Sequence, residues 1–185
     1  MKELETRVID INLDELRENL VKIKAEKVKQ ENQINNIFDF PDRRLLKDKG
    51  YARIRIVDDM LNNKTVSYIT TKKMLSQGRF KEMEENECII EDGEVGIRIF
   101  HALGLELVQS IKKYRESYKY KNTLIEIDIN DESFCPFPYV EFETYSEEEL
   151  DEVLELLGYS LNQTTSKTIY EILNEKGIRT NDNGL

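Results

Sequence analysis

The stretch Glu3-Leu4-Glu5-Thr6-Arg7-Val8 decides how this chain is interpreted, because it has the alternation of a β-strand. Successive side chains of a strand point to opposite faces, so Glu3, Glu5 and Arg7 share one face and the residues between them share the other. A solvated sheet edge is the simplest explanation of such a face, since charged side chains are mostly exposed. That explanation weakens if the same pattern recurs along the chain.

The pattern does recur in later predicted strands, with charges on one face and, in all but one strand, apolar residues on the other. The charged positions are Arg53 and Arg55, then Lys72, Glu85 and Glu87, Lys113 and Arg115, Glu126 and Asp128, and finally Glu141 and Glu143. Two geometries explain these faces. One is a sheet whose polar side faces water, and the other is a barrel with charges inside and apolar residues outside, under helices.

A charged barrel interior carries a chemical implication. Burying many charges costs free energy unless each charge is paired or binds an ion. Carboxylates without histidine or cysteine suit Mg²⁺ or Mn²⁺, and clustered arginine and lysine suit phosphate oxygens. A triphosphate with bound divalent metal is therefore the natural content of such an interior.

Composition limits the other classes. The 185 residues predict a single domain over 1–185, and the net charge of −10 argues against a general nucleic-acid binder. The two cysteines, Cys88 and Cys135, are expected to be reduced packing residues, and a lone histidine excludes a histidine-rich zinc site. The sequence has no apolar run of membrane-spanning length and no signal-peptide core, so a cytoplasmic protein is expected.

Period-two and period-3.6 patterns predict the order of elements. The predicted strands are 3–8, 30–40, 51–57, 65–73, 82–90, 107–120, 123–129 and 139–145. Helices are predicted after the N-cap Asn12, before Gly104, after Ser146 and over 166–176, and 43–50 is predicted to be a polar connection. Ser146 and Glu149 have the spacing of a capping box.

The opening stretch resembles the Glu-x-Glu-x-Lys signature of the CYTH superfamily, the triphosphate tunnel metalloenzymes. Further segments follow in the family's order: Asn36-Ile37-Phe38-Asp39-Phe40-Pro41-Asp42, Arg53-Ile54-Arg55, Glu84-Glu85-Asn86-Glu87, Lys113-Tyr114-Arg115, Asp128, Glu141-Phe142-Glu143 and Thr165-Ser166…Tyr170-Glu171. The family includes class IV adenylate cyclases, thiamine triphosphatases and inorganic triphosphatases. The resemblance implies an α+β fold, an antiparallel eight-stranded β-barrel, closed or nearly closed, with a charged lumen and helices packed outside.

The resemblance also implies roles for individual residues. The implied metal ligands are Glu3, Glu5, Asp128, Glu141 and Glu143, with Mg²⁺ or Mn²⁺ as cofactor. The implied substrate-binding residues are Arg53, Arg55, Lys72, Lys113 and Arg115, which would bind triphosphate oxygens, and Glu85 and Glu87, which would orient them or line the tunnel. Arg7, Glu5 and Glu143 are the implied catalytic residues. The expected partner is a small-molecule triphosphate, with no nucleic acid or membrane, and a homodimer is left open.

Two positions depart from the family pattern. The signature lysine is Arg7 here, and arginine does not lose its proton, so it cannot activate the attacking group as a base. Metal-activated water or in-line positioning would have to replace that step. Met83 stands where related sequences often carry arginine, so one phosphate contact is expected to be missing.

The family supports two reactions that differ in the attacking group. A triphosphatase directs water at the terminal phosphorus, whereas a cyclase directs a ribose hydroxyl at the α-phosphorus and needs a nucleoside pocket. Class IV cyclases carry a His-Phe-containing extension before the first strand, and this sequence starts at Met1-Lys2. Metal-dependent triphosphate hydrolysis is therefore the expectation. A class IV adenylate cyclase and a non-catalytic polyphosphate- or nucleotide-binding module are the alternatives.

Overall fold

The chain forms a closed barrel of eight antiparallel β-strands. The computed structural model describes residues 3–178, with the exception of the Glu3 side chain. The barrel strands are β1 (Glu3–Ile9), β2 (Glu26–Asp39), β3 (Gly50–Asp59), β4 (Lys64–Gln77), β5 (Lys81–Ile90), β6 (Glu106–Tyr120), β7 (Thr123–Asn130) and β8 (Tyr139–Thr144). Around the ring their order is β1-β5-β4-β3-β2-β6-β7-β8, and β8 pairs with β1 to close it. The predicted eight-stranded barrel is confirmed.

Five helices accompany the barrel: α1 (Leu13–Lys22), α2 (Arg44–Lys47), α3 (Gly93–Ala102), α4 (Glu147–Leu156) and α5 (Ile169–Glu175). A short ninth strand, β9 (Thr164–Thr165), pairs with β1 next to the stretch that contacts β5. The side chains of Asn12, Ser146 and Thr168 accept backbone hydrogen bonds at the N-termini of α1, α4 and α5. Within residues 3–178, none of the helices is long and apolar enough to span a membrane.

The structure changes the predicted bounds in two places. β2 begins at Glu26 rather than at residue 30, because a bulge between Lys27 and Lys29 lets the charged segment continue pairing with β6. The segment predicted to be a polar connection contains α2, since both carboxylate oxygens of Asp39 accept backbone N–H groups from Leu45 and Leu46. Those bonds satisfy donors that the first turn of a helix leaves free.

Two smaller expectations need correction. Ser146 caps α4 as predicted, but Glu149 does not complete a capping box, because its carboxylate accepts hydrogen bonds from the side chain and backbone of Asn122. Cys135 is a buried packing residue, whereas Cys88 is exposed on the barrel surface, and both are free thiols. The last helix begins at Ile169 because Thr168 is its N-cap.

Apolar residues on the outer faces of the strands form the core beneath the helices. Leu16 and Leu20 of α1 and Leu154 of α4 pack against the outer faces of β7 and β8, where Ile127 and Phe142 are buried. A second cluster joins α3 to β2 and β3, and a third joins α5 to the segment between β7 and β8. Burial of these faces under helices leaves the alternate, charged faces to line the barrel interior.

A buried ion pair on the outside of the barrel ties α1 to the wall. Glu116 of β6 is buried, and Arg17 of α1 donates to its carboxylate at 2.6 Å. Lys27 of β2 lies 3.1 Å from the same carboxylate, and the Tyr118 hydroxyl donates to it at 2.7 Å. Burial raises the pKa of Glu116, but hydrogen bonds from Arg17, Tyr118 and Lys27 outweigh it and lower the pKa to about 2.

We expect Glu116→Gln to destabilise the protein at pH 7 by about 1–3 kcal/mol, because two cations lose their charged partner. The folded-state pKa of Glu116 lies below its ordinary value of 4.5, so this stabilisation is present above pH 4.5 and is lost as the pH falls towards 2. Melting temperatures followed by circular dichroism across this range should therefore converge for variant and wild type. Glu18→Gln, on the exposed side of α1, is the control. A difference in melting temperature between variant and wild type that does not change with pH would contradict the stabilising role of the ionised Glu116 carboxylate.

Gly50, the first residue of β3, is buried where two backbones meet. A Cβ at this position would lie 2.8 Å from the backbone oxygen of Lys72 on β4, closer than unstrained contacts allow. Because the neighbour is backbone, the strand itself would have to move, and Lys72 with it.

We expect Gly50→Ala to cost about 1–3 kcal/mol of folding free energy through this overlap. The measurement is the denaturation midpoint in urea. Gly78→Ala is the matched control, because a Cβ there would meet no atom within 4 Å. Equal denaturation midpoints for the two variants would show that β4 shifts to accommodate the added Cβ without any loss of stability.

Candidate active site

The barrel encloses a cavity of about 1360 Å³. Its wall is made of alternate residues of the barrel strands, and residues of α5 add to it. The charged faces identified by period two therefore face the cavity wherever the structure describes their side chains, except at Asp128, which is fully buried and does not line the cavity. In the closed ring, β8 and β3 are four strands apart, so the carboxylates of β8 lie across the cavity from the arginines of β3.

Three carboxylates form an acidic wall on β7 and β8. Glu126 and Glu141 are opposite each other in the strand pairing, and Glu143 follows on β8. One oxygen from each lies within 4.8 Å of the others. Such a set of hard oxygen donors fits a divalent cation such as Mg²⁺ or Mn²⁺.

Glu143 is the member of this wall that makes no ion pair with a cation in the described part of the chain. Among residues 3–178, no hydrogen bond or ion pair to its carboxylate is found. Burial, together with the nearby charge of Glu126, raises the pKa of Glu143 to about 8, although Lys72 and Arg115 lower it. A cation in this position would relieve the repulsion, so the residues present fit a metal ion.

Glu5 has a different environment, because cations surround it. One oxygen accepts a hydrogen bond from Arg7 at 2.7 Å and another from Lys81, and the second oxygen lies 3.8 Å from Lys72. Burial opposes ionisation, but these three cations lower the pKa of Glu5 well below its ordinary range. Glu3, the other implied ligand on β1, pairs through its backbone with Met83, and its side chain lies outside what the structure describes.

Arg7 bridges β1 and β8. A single guanidinium nitrogen lies 2.7 Å from Glu5 and 2.7 Å from Glu141, and the guanidinium lies 5.6 Å from the centre of the Tyr139 ring. Burial lowers the pKa of Arg7, but Glu141 and Glu5 together raise it above its ordinary value. Arg7 therefore supplies a fixed positive charge and orients two carboxylates.

Asp128 is fully buried and binds cations of β6. Arg115 donates to its two oxygens at 2.6 Å each, and Lys113 donates to one of them at 2.8 Å. Burial raises the pKa of Asp128, yet Arg115 and Lys113 lower it below its ordinary range. In this arrangement Asp128 positions Arg115, whose Nη1 contacts Glu126 and whose Nη2, shared with Asp128, also donates to Glu141 at 3.1 Å.

The opposite wall is basic and has its own carboxylates. Arg55 donates to Glu87 at 2.9 Å, and Arg53 lies 3.4 Å from Glu85 and 3.3 Å from Glu87. Lys72 lies 3.1 Å from Glu85 and points into the cavity, whereas its neighbour on the strand, Lys73, points outwards. The Nε atoms of both arginines are buried without a hydrogen-bond partner in the described chain, so these groups keep donor capacity for a ligand.

Lys81 and Glu126 are among the cavity residues to which the sequence assigns no role. Lys81 shares a strand face with Glu85 and Glu87, and counting back in steps of two from Glu85 would have found it. Glu126 was recognised as part of a charged face, but its place beside Glu141 depends on the β7–β8 register. Neither had been assigned to the metal or the substrate.

The two ends of the cavity differ in chemistry. Near α5 the lining is largely apolar and aromatic, with Tyr51, Phe134 and Tyr170 among its residues. Phe134 and Tyr170 pack edge to face with centroids 5.6 Å apart, and the Tyr170 hydroxyl contacts Gln109 of β6. Towards the other end, Lys29, Arg55 and Glu87 line the wall. A ligand with a charged chain and one apolar end fits this asymmetry.

Solved structures with the same fold extend along nearly the whole chain. A conserved hypothetical protein from Pyrococcus furiosus is 26% identical, with a TM-score of 0.73, and the match covers 91% of this chain and 98% of that protein. A candidate adenylate cyclase from Vibrio parahaemolyticus is 16% identical, with a TM-score of 0.76 and coverage of 94% and 98%. HpAC1 from Hippeastrum, a candidate adenylyl cyclase with a dominant triphosphatase activity, is 16% identical, with a TM-score of 0.67 and coverage of 95% and 96%.

Sequence comparison identifies the family. No curated protein matches this chain. The family model of the CYTH domain, however, matches residues 1–169, which is most of the 185-residue chain. The same residues supply the charged barrel described above, from β1 to the start of α5. The chain therefore belongs to the CYTH domain family.

Proposed function

We propose that this protein hydrolyses a small-molecule triphosphate with the help of Mg²⁺ or Mn²⁺. One observation carries the proposal: a single enclosed cavity has clustered carboxylates on one wall and arginine and lysine on the wall across from it. The first wall suits a divalent cation and the second suits phosphate oxygens. A metal-bound triphosphate satisfies both walls at once.

In this proposal the acidic wall binds the metal. Glu126, Glu141 and Glu143 are the residues that would hold it, and Glu3 and Glu5 of β1 would add to the set. Bound metal supplies charge neutralisation and polarises phosphate oxygens or water. Asp128 would act through Arg115, because it is fully buried, does not line the cavity and already accepts hydrogen bonds from Arg115 and Lys113.

The basic residues bind and orient the triphosphate. Arg53, Arg55 and Lys72 would bind from one side, with Glu85 and Glu87 fixing their directions, and Lys113 and Arg115 would bind from β6. Arg7 stays protonated, so it positions Glu5 and Glu141 and takes no proton from the attacking water. Catalysis here consists mainly of positioning and charge stabilisation, as phosphoryl transfer allows.

Hydrolysis is preferred because it requires only bound phosphates and water. The relatives support both reactions, since the Vibrio parahaemolyticus protein is a candidate cyclase and HpAC1 has a dominant triphosphatase activity. One observation favours cyclisation of ATP as a second candidate function: the aromatic end of the cavity, with Tyr51, Phe134 and Tyr170, could accommodate a base. A non-catalytic triphosphate-binding module is the third outcome that an assay distinguishes.

The assay uses purified protein with Mg²⁺ or Mn²⁺ and, separately, tripolyphosphate, thiamine triphosphate and ATP. We expect metal-dependent release of inorganic phosphate from at least one of these three compounds. The release is measured by phosphate detection, and the products are identified by chromatography. Formation of cyclic AMP and pyrophosphate from ATP would refute hydrolysis and identify the protein as a cyclase. Tight binding of all three without turnover would identify the binding module and refute hydrolysis.

The substitution Glu143→Gln tests the acidic wall. We expect the metal-dependent rate to fall by about 100-fold or more, because a neutral amide is a poor ligand for a hard cation. Mn²⁺ binding, measured by calorimetry, should weaken in parallel. Glu84→Gln is the matched control, since Glu84 is exposed on the outer face of β5. An unchanged rate and unchanged Mn²⁺ affinity in the Glu143 variant would remove this residue from the metal site.

A further inference from the structure

Lys81, at the first position of β5, has no role in the function proposed above. Its side chain is buried and lines the cavity. The strand pairing sets Lys81 opposite Glu5, and its ammonium contacts the Glu5 carboxylate. It therefore lies at the junction of the acidic and basic parts of the wall.

Neutralising Glu5 uses only part of what Lys81 offers. Two other cations already lie near that carboxylate: Arg7 at 2.7 Å, which it shares with Glu141, and Lys72 at 3.8 Å, which is closer to Glu85. A lysine ammonium has three N–H donors, and within residues 3–178 Glu5 is the partner found for this one. Burying donors that lack acceptors is costly, so the arrangement favours an anionic ligand that would use them.

Lys81 also lies close to Met83, the position at which one phosphate contact is expected to be missing. Both side chains line the cavity, and they are one step of two residues apart, or about 7 Å along the strand. Met83 offers no charge to a phosphate. A lysine side chain is long and flexible enough to bring positive charge to the space beside a neighbouring lumen position.

Lys81 lies on the side of the cavity that α5 covers. Gln77, its partner on β4, donates to the backbone oxygen of Ser166 and to the carboxylate of Glu171 on α5. Lys81, Gln77 and Glu171 line the same cavity. A phosphate bound by Lys81 would therefore be the one nearest the aromatic end.

We propose that Lys81 is a phosphate-binding residue, whose ammonium donates to a triphosphate oxygen at the α5 side of the cavity. This inference rests on the proposed function, because it requires a triphosphate in the barrel. In the structure, the Lys81 ammonium donates its hydrogen bond to the Glu5 carboxylate. If Glu5 bound a metal ion, the ammonium would be free to donate to the phosphate, so the same carboxylate would couple metal binding to phosphate binding.

The test is a set of four proteins: wild type, Glu5→Gln, Lys81→Gln and the double variant. Tripolyphosphate binding is measured by calorimetry in EDTA, so that only the cations of the wall contribute. We expect Glu5→Gln to bind tripolyphosphate more tightly than wild type, because Lys81 is then free. In the Glu5→Gln background, Lys81→Gln should weaken binding by about 10–100-fold, the value of one charged hydrogen bond.

This comparison separates ligand binding from a structural role. If Lys81 only neutralises Glu5, its removal has no effect once Glu5 is uncharged, and equal affinities in that background would overturn the inference. Lys81→Arg, which keeps the charge, should retain most of the affinity. Lys73→Gln, on the outer face of β4, is the control and should bind as wild type does. Thermal melts of each variant establish that the barrel is folded.

The outcomes also distinguish this inference from the proposed function. Wild-type protein that binds no tripolyphosphate, with or without Mg²⁺, would refute the proposed function itself. Wild-type protein that binds it, together with undiminished binding in the Lys81 variants, would refute only the role of Lys81.

Discussion

Charge compensation inside a closed barrel is the constraint on which the rest of this structure depends. The barrel turns its apolar faces outwards to the helices, so the inner faces have to bear charges that water cannot fully solvate. The chain meets this requirement by placing acidic and basic strands side by side. Arg115 of β6 shows the result, since its guanidinium contacts Asp128 and Glu126 on β7 and Glu141 on β8.

This compensation leaves an open cavity where a filled core would otherwise be found. Long charged side chains reach each other along the wall, and the centre of the barrel stays accessible. Most cations of the wall already have a carboxylate partner, so the polyanion of the proposed function would compete with those partners. A divalent cation held by the carboxylates would remove that competition. Binding of metal and binding of phosphate are thus expected to reinforce each other.

Alternation alone predicted which charged residues of β1, β3, β6 and β8 share a strand face. It left open whether those faces point to water or into a barrel, and the resemblance to the CYTH superfamily supplied the closed barrel. Lys81 was missed because the predicted strand began one residue too late, at Glu82. The acidic wall could not be derived, since the approach of Glu126 to Glu141 is a property of strand pairing between distant segments. Likewise, Asp128 carries the same charge as Glu143, and only its partners show that it positions Arg115.

The first strand has a consequence for how the barrel is made. β1 is synthesised well before its partners β5, β8 and β9, the last of which begins at Thr164. Contacts between such distant segments form slowly, because the loop between them must first be closed. Until β8 has been synthesised, Arg7 lacks its partner Glu141 and β1 lacks one of its neighbouring strands. The barrel, and with it any site for metal, is therefore completed only after β8 has been synthesised.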